Sequence, residues 1–261
     1  MKNSSPFRRT LCDGWDLICD LSLPKSCYPA DSGRGRTQYS FNPLYSVVLW
    51  AAFWAVAAII LGKLLTALLP GNGAALLFVI IISIASEMRT SFRGMALTVS
   101  CLENLFSGKN FTQSLLLRQS DLRNISGVVP LLLAVAFAGC RFFTLFLAAK
   151  SGCLGVIGTA WLIAVGAEGF LAAEPAAVNM PKFCSDVKSE YIVAMAGFFL
   201  IFSLIAMPLA TLPAVGVAAV MVITFMNLLL KNTGKIESND MTMIGYLLET
   251  AVLLIFAIIL G

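Results

Sequence analysis

With 59% hydrophobic and only 12% charged residues among its 261, the chain carries too little charge to cover a water-soluble surface, for which about 25% is usual. A net charge of +4 is too small, and too confined to the gaps between apolar stretches, for a nucleic-acid partner; it reads as topology and attraction to lipid headgroups. The absence of histidine removes the commonest general base and metal ligand and leaves carboxylates as the chemical currency.

In chain order, residues 1–44 form a polar, cytoplasmic tail with Lys2, Arg8, Arg9, Lys25, Arg34 and Arg36 and without the apolar core of a signal peptide. The first span is expected at Tyr45–Leu69 and the uncharged turn at Pro70–Gly73, followed by a second, short span at Ala74–Ser86. Residues 87–126 are the longest polar stretch, a motif loop with enough Leu and Met for short amphipathic helices at the interface. Spans three and four are expected at Gly127–Ala148 and Cys153–Ala173, with an outer turn at Lys150–Gly152. Spans five, six and seven fall at Tyr191–Met207, Pro213–Leu230 and Met241–Leu260.

Alternate gaps hold 15 of the 18 Lys and Arg residues. By the positive-inside rule this places the N-terminus in the cytoplasm. The expected fold is all-α: a polytopic helical bundle of about seven transmembrane helices in the plasma membrane, with residues 45–261 as one domain. The seven cysteines are scattered, without a CxxC pair, and read as small hydrophobes.

Ionisable residues within spans are costly and mark function or internal pairing. Arg141, Glu168 and Glu249 are such residues. The hairpin of spans three and four suggests Arg141 with Glu168 as an internal pair. Glu249, on the face of Gly245, is the better candidate for a site open to the cytoplasm. Arg89, Arg93, Arg118 and Arg123 match phosphate groups bidentately, or serve as ordinary topology signals.

The stretch Thr90-Ser-Phe-Arg-Gly-Met-Ala-Leu-Thr-Val-Ser-Cys-Leu-Glu-Asn-Leu-Phe106 resembles the signature of cobalamin synthases, Asp-Gly-Leu-Ala-Asp-Thr-x-Asp-Gly followed by Leu-Phe. Of the three acidic positions, Ala96 and Ser100 have lost the carboxylate and Glu103 keeps it. Arg118-Gln119-Ser120 resembles the family's Arg-Asp-Ser with the acid replaced. Leu17–Pro24 and Tyr39–Leu44 resemble its opening elements, and Asp240, Gly245 and Glu249 resemble its Gly-Asp-x-x-Gly-x-x-x-Glu, with a longer Asp–Gly gap.

The resemblance implies a membrane transferase joining adenosylcobinamide-GDP to α-ribazole or its phosphate, with release of GMP. It implies Mg²⁺ held by Glu103 and Asp240, catalytic roles for Glu103, Asp240 and Glu249, and phosphate contacts from Arg118 and Arg93. Its partners would be those two substrates, the lipid bilayer and other corrinoid-pathway enzymes. The lost acids at Ala96, Ser100 and Gln119 leave a second reading open, an inactive relative kept as a membrane partner or corrinoid scaffold. A third is a small secondary transporter, motivated by Arg141 and Glu168.

Overall fold

The computed structural model describes Leu11, residues 44–69, 71–90, 93–106, 128–178 and 211–260, and isolated positions between 193 and 205. Within these residues seven helices are named: α1 (Leu44–Leu68), α2 (Asn72–Arg89), α3 (Arg93–Phe106), α4 (Val128–Lys150), α5 (Leu154–Ala172), α6 (Thr211–Thr233) and α7 (Ser238–Leu260). All except α3 are long and apolar enough to cross a bilayer. At ~1.5 Å per residue, 18 to 25 residues span ~27–38 Å, against a hydrocarbon core of about 30 Å. The chain is therefore a helical membrane bundle, as its apolar runs imply. Of the span expected at Tyr191–Met207 only isolated positions are described, and these are helical.

Polar loop chemistry ends the helices where the sequence changes character. After α4, Gly152 adopts φ 73, the left-handed region that favours glycine. Its N–H bonds the carbonyl of Ala149 at 3.2 Å and that of Cys153 bonds Ala148 at 3.0 Å, a Schellman cap that turns the chain straight into α5. After α6, Gly234 at φ 66 makes the simpler αL cap onto Leu230. The N–H of Glu237 donates to Asp240 Oδ2 at 2.8 Å, the returning half of a capping box at the start of α7.

Helix α5 is the hub. It packs against α1, α4, α6 and α7, and 17 of its 19 residues are buried, so that almost no face meets lipid. Small residues allow the approach: a Cβ on Gly158 would stand 3.0 Å from that of Ala55 on α1. Outside this hub, Phe53 and Ile60 of α1, Leu131 and Phe143 of α4 and Val220 of α6 face outward, as lipid contacts do.

Helix α3 occupies 93–106 of the polar stretch and fits the expected amphipathic helix. Its face Leu97–Cys101 is buried, and it packs against α2, α4 and α7. Glu87 and Arg89 belong to the last turn of α2 rather than to a loop. Residues 107–127 lie outside the described residues.

The C-terminal ends of α2 and α5 and the α6–α7 turn meet at one end of the bundle. A bridge joins Ala177 to Ile236, with the Val178 N–H on the Ile236 carbonyl at 2.8 Å and the Ile236 N–H on that of Ala176 at 3.0 Å. Arg93 Nη1 donates to Asn239 Oδ1 at 3.4 Å across the same end. Segments far apart in the chain thus frame a single polar end.

Candidate functional site: a buried arginine–glutamate network

Four helices each direct a helical stripe of polar or aromatic residues inward. Ser86 and Arg89 lie three residues apart on α2, Phe137 and Arg141 four apart on α4, Trp161 and Glu168 seven apart on α5, and Tyr246 and Glu249 three apart on α7. These spacings put each set on one helix face. Packing of α7 against α4 and α5, and of α2 against α4, closes the stripes on one another.

Glu249 is the centre and is completely buried. Its carboxylate accepts from Trp161 Nε1 at 2.9 Å. Ser86 Oγ, 2.9 and 3.1 Å from its two oxygens, donates to it as well. Arg141 Nη2 ion-pairs with Glu249 and also donates to Ser86 Oγ. Arg89 Nη2 stands 3.6 Å from Glu249 Oε2, an ion-pair separation beyond hydrogen-bond reach. A carboxylate in a low-dielectric interior is tolerable only with such partners.

Glu168 forms the second pair. Both its oxygens lie 2.8 Å from Arg89 Nη1. It threads to Arg89 directly over Gly245 of α7, where any Cβ would run into its carboxylate. Glycine at 245 is therefore required by contact rather than by backbone angle.

The expected pairing of Arg141 with Glu168 is replaced by this exchange of partners. Arg141 lies nine residues before Lys150, whereas Glu168 lies sixteen after Gly152. Along helices rising ~1.5 Å per residue, that difference of seven residues separates their depths by ~10 Å. Glu168 therefore meets Arg89 at the end of α2, and Arg141 meets Glu249 in mid-span.

Tyr246 closes the network toward the polar end. The Arg141 guanidinium sits 4.3 Å over its ring centroid, a cation–π arrangement, and Phe137 stacks against it at 5.8 Å. Its hydroxyl donates to Glu87. On the far side a Cβ on Gly94 of α3 would fall 2.6 Å from its ring, so α3 presses closely on α7 here. The two arginines balance Glu168 and Glu249, and the half-buried Glu87 adds one acid beyond that balance.

Of the residues singled out from sequence, Asp240 and Arg93 lie at this end. Asp240 is buried in the first turn of α7 and spends Oδ2 on the cap. Glu103 is half-buried on α3, and Arg93 opens α3 and reaches Asn239. Arg118 lies outside the described residues. Among the described residues no three His, Cys, Asp or Glu side chains group as metal ligands. An ion on Glu103 and Asp240 would draw its other oxygens from substrate phosphates and water, which is the usual manner for Mg²⁺. Ser86, Trp161 and Tyr246 had no distinguishing signal in a chain rich in such residues; only their helical spacing from Arg89, Glu168 and Glu249 marks them.

Compared with family models, curated proteins and solved structures, the chain matches none.

Proposed function

We propose that the chain is a membrane-embedded, Mg²⁺-dependent phosphotransferase of the cobalamin synthase type, in the plasma membrane and working at the cytoplasmic end of the bundle. One observation carries this reading. The two segments that hold the family-like residues, 90–106 and 240–249, are more than 130 residues apart in sequence and pack together, with Arg93 on Asn239 and Gly94 against Tyr246. Chance resemblance in two unrelated segments gives no reason for them to meet.

In this reading Glu103 and Asp240 hold Mg²⁺, which when bound neutralises charge on a substrate pyrophosphate. Arg93 binds phosphate oxygens at this end, and Arg118 is assigned the same role by the resemblance alone. Glu249, enclosed by Arg141, Ser86 and Trp161, acts as a positioning residue: it fixes the register of α7 and hence of Asp240 two to three turns away. The substrates are adenosylcobinamide-GDP and α-ribazole, and the products are the joined corrinoid and GMP.

The test is GMP release from adenosylcobinamide-GDP and α-ribazole by membranes containing the protein, with and without Mg²⁺. Mg²⁺-dependent release is expected, and it should disappear in Glu103→Gln and Asp240→Asn. The latter keeps a capping oxygen for Glu237 while removing the charge. Full activity in both variants would overturn the assigned roles.

A second reading is supported by the structural use of two surviving acids: Glu249 is fully engaged within the core and Asp240 Oδ2 caps its helix. It makes the chain a non-catalytic membrane partner that has kept the bundle. No release by the inserted wild type, beside an active control, would establish it over the first.

A further inference from the structure

The buried network contains more donors than it uses. Arg89 commits Nη1 to Glu168; Nε and Nη2 are buried without a hydrogen-bond partner among the described residues, Nη2 keeping only the 3.6 Å ion pair with Glu249. Arg141 Nη1 is in the same condition, on a side chain only 5% exposed. Buried donors left unmade are destabilising, so a recurring set of them calls for an acceptor from outside the chain.

The geometry of the donors without hydrogen bonds is specific. Nε–H and an Nη2–H form one straight edge of a guanidinium, two parallel donors that match two oxygens of a phosphoryl group. The edge belongs to the final residue of α2, at the polar end of the bundle, and the Arg89 side chain is 11% exposed. Part of the side chain thus reaches the polar end while Nε and Nη2 are themselves buried, with Arg141 at greater depth.

We propose that the free edge of Arg89, backed by Arg141, seats a phosphoryl group presented from the polar end of the bundle. Glu168 and Glu249 already balance the two arginines, and Glu87 adds a further negative charge nearby. A polyanion therefore arrives with a divalent cation, and its binding depends on Mg²⁺. The choice of pyrophosphate as probe rests on the transferase reading; the vacant edge does not. The same phosphoryl chemistry is carried by a phosphomonoester lipid headgroup at this depth.

The experiment follows the thermal unfolding midpoint of the full chain in detergent micelles as magnesium pyrophosphate is titrated. A saturable rise is expected for the wild type and little or none with pyrophosphate in the absence of Mg²⁺. Arg89→Lys keeps the charge opposite Glu168 but loses the edge, and should weaken binding by roughly tenfold or more, the worth of a charge-assisted hydrogen bond. Lys150→Gln, at the exposed end of α4 opposite the polar end, should leave it unchanged. If Arg89→Lys cannot be recovered folded, the double variant Arg89→Gln/Glu168→Gln keeps the interior neutral and should abolish the rise.

The lipid source is separated in nanodiscs of phosphatidylcholine with and without phosphatidic acid. A rise with phosphatidic acid alone that Arg89→Lys removes assigns the seat to a headgroup. No rise with either ligand in the wild type means that water fills the edge, and overturns the proposal, as does equal binding by wild type and variant. Binding without GMP release would leave this seat standing and sink only the transferase reading.

Discussion

Helices α4 and α5 are consecutive, joined by a three-residue turn, and both are apolar enough to span a bilayer, yet they live in opposite surroundings. Of the span in α4 22% is buried, and of that in α5 83%, although both are strongly apolar. Lipid tails are as apolar as leucine, so hydropathy does not select which helix goes inside. Side-chain size does. Helix α5 is built of Gly155, Gly158, Ala160, Ala164, Gly166, Ala167 and Gly169, which let neighbours close in; α4 presents Leu131, Leu132, Phe142 and Phe143 to the outside. Helix α4 turns a narrower face inward, with Arg141 beside Thr144, Leu145, Ala148 and Ala149, and the Arg141 charge helps anchor it to the core as size complementarity anchors α5.

That contrast can be broken at its strongest point first. Glu249→Leu leaves the Arg141 charge buried without its partner and should cost about 3–5 kcal/mol. The double variant Glu249→Leu/Arg141→Leu should regain most of the loss, as measured by reversible unfolding in mixed micelles. No recovery in the double variant would show that Arg141 anchors α4 by something other than this pair.

A smaller effect is expected from α5's own contribution to the network. Trp161→Phe removes one donor to the Glu249 carboxylate and should cost about 1.5–3 kcal/mol in the same assay. An unchanged midpoint would mean that Ser86 and Arg141 suffice for Glu249.

Packing is compared directly at two glycines. Gly158→Leu on α5 drives a side chain into Ala55 and should destabilise by about 1–3 kcal/mol. Gly139→Leu on α4, where a Cβ meets nothing within 4 Å, should be neutral. Equal effects at the two sites would contradict the opposite surroundings of these helices.

The smallest change is expected on α4's outward face, where Leu131→Ala should shift stability by within about 0.5 kcal/mol. A lipid-borne quencher should reach a fluorophore placed at position 132 and not one at position 164. Quenching at both would place α5 at the surface.

The sequence by itself determined the class of fold, because a run of ~20 apolar residues has only one common structure in a bilayer: with no water to satisfy the backbone, it must be helical. Six such runs appear as helices within a few residues of their expected limits, and the amphipathic Arg93–Phe106 segment forms the helix its pattern implies. Sequence also singled out Arg141, Glu168 and Glu249, since a charge within a span is rare enough to be conspicuous. Their partners were decided only by tertiary structure. Pairing depends on depth and on which helix faces meet, and both are set by contacts between segments up to 163 residues apart, as in Ser86 with Glu249. Ser86, Trp161 and Tyr246 are unremarkable residue types in an apolar chain, and nothing short of that packing distinguishes them. The same holds for the free edge of Arg89: the residue is visible in the sequence, but which of its nitrogens is left without a hydrogen bond depends on where Glu168 crosses Gly245.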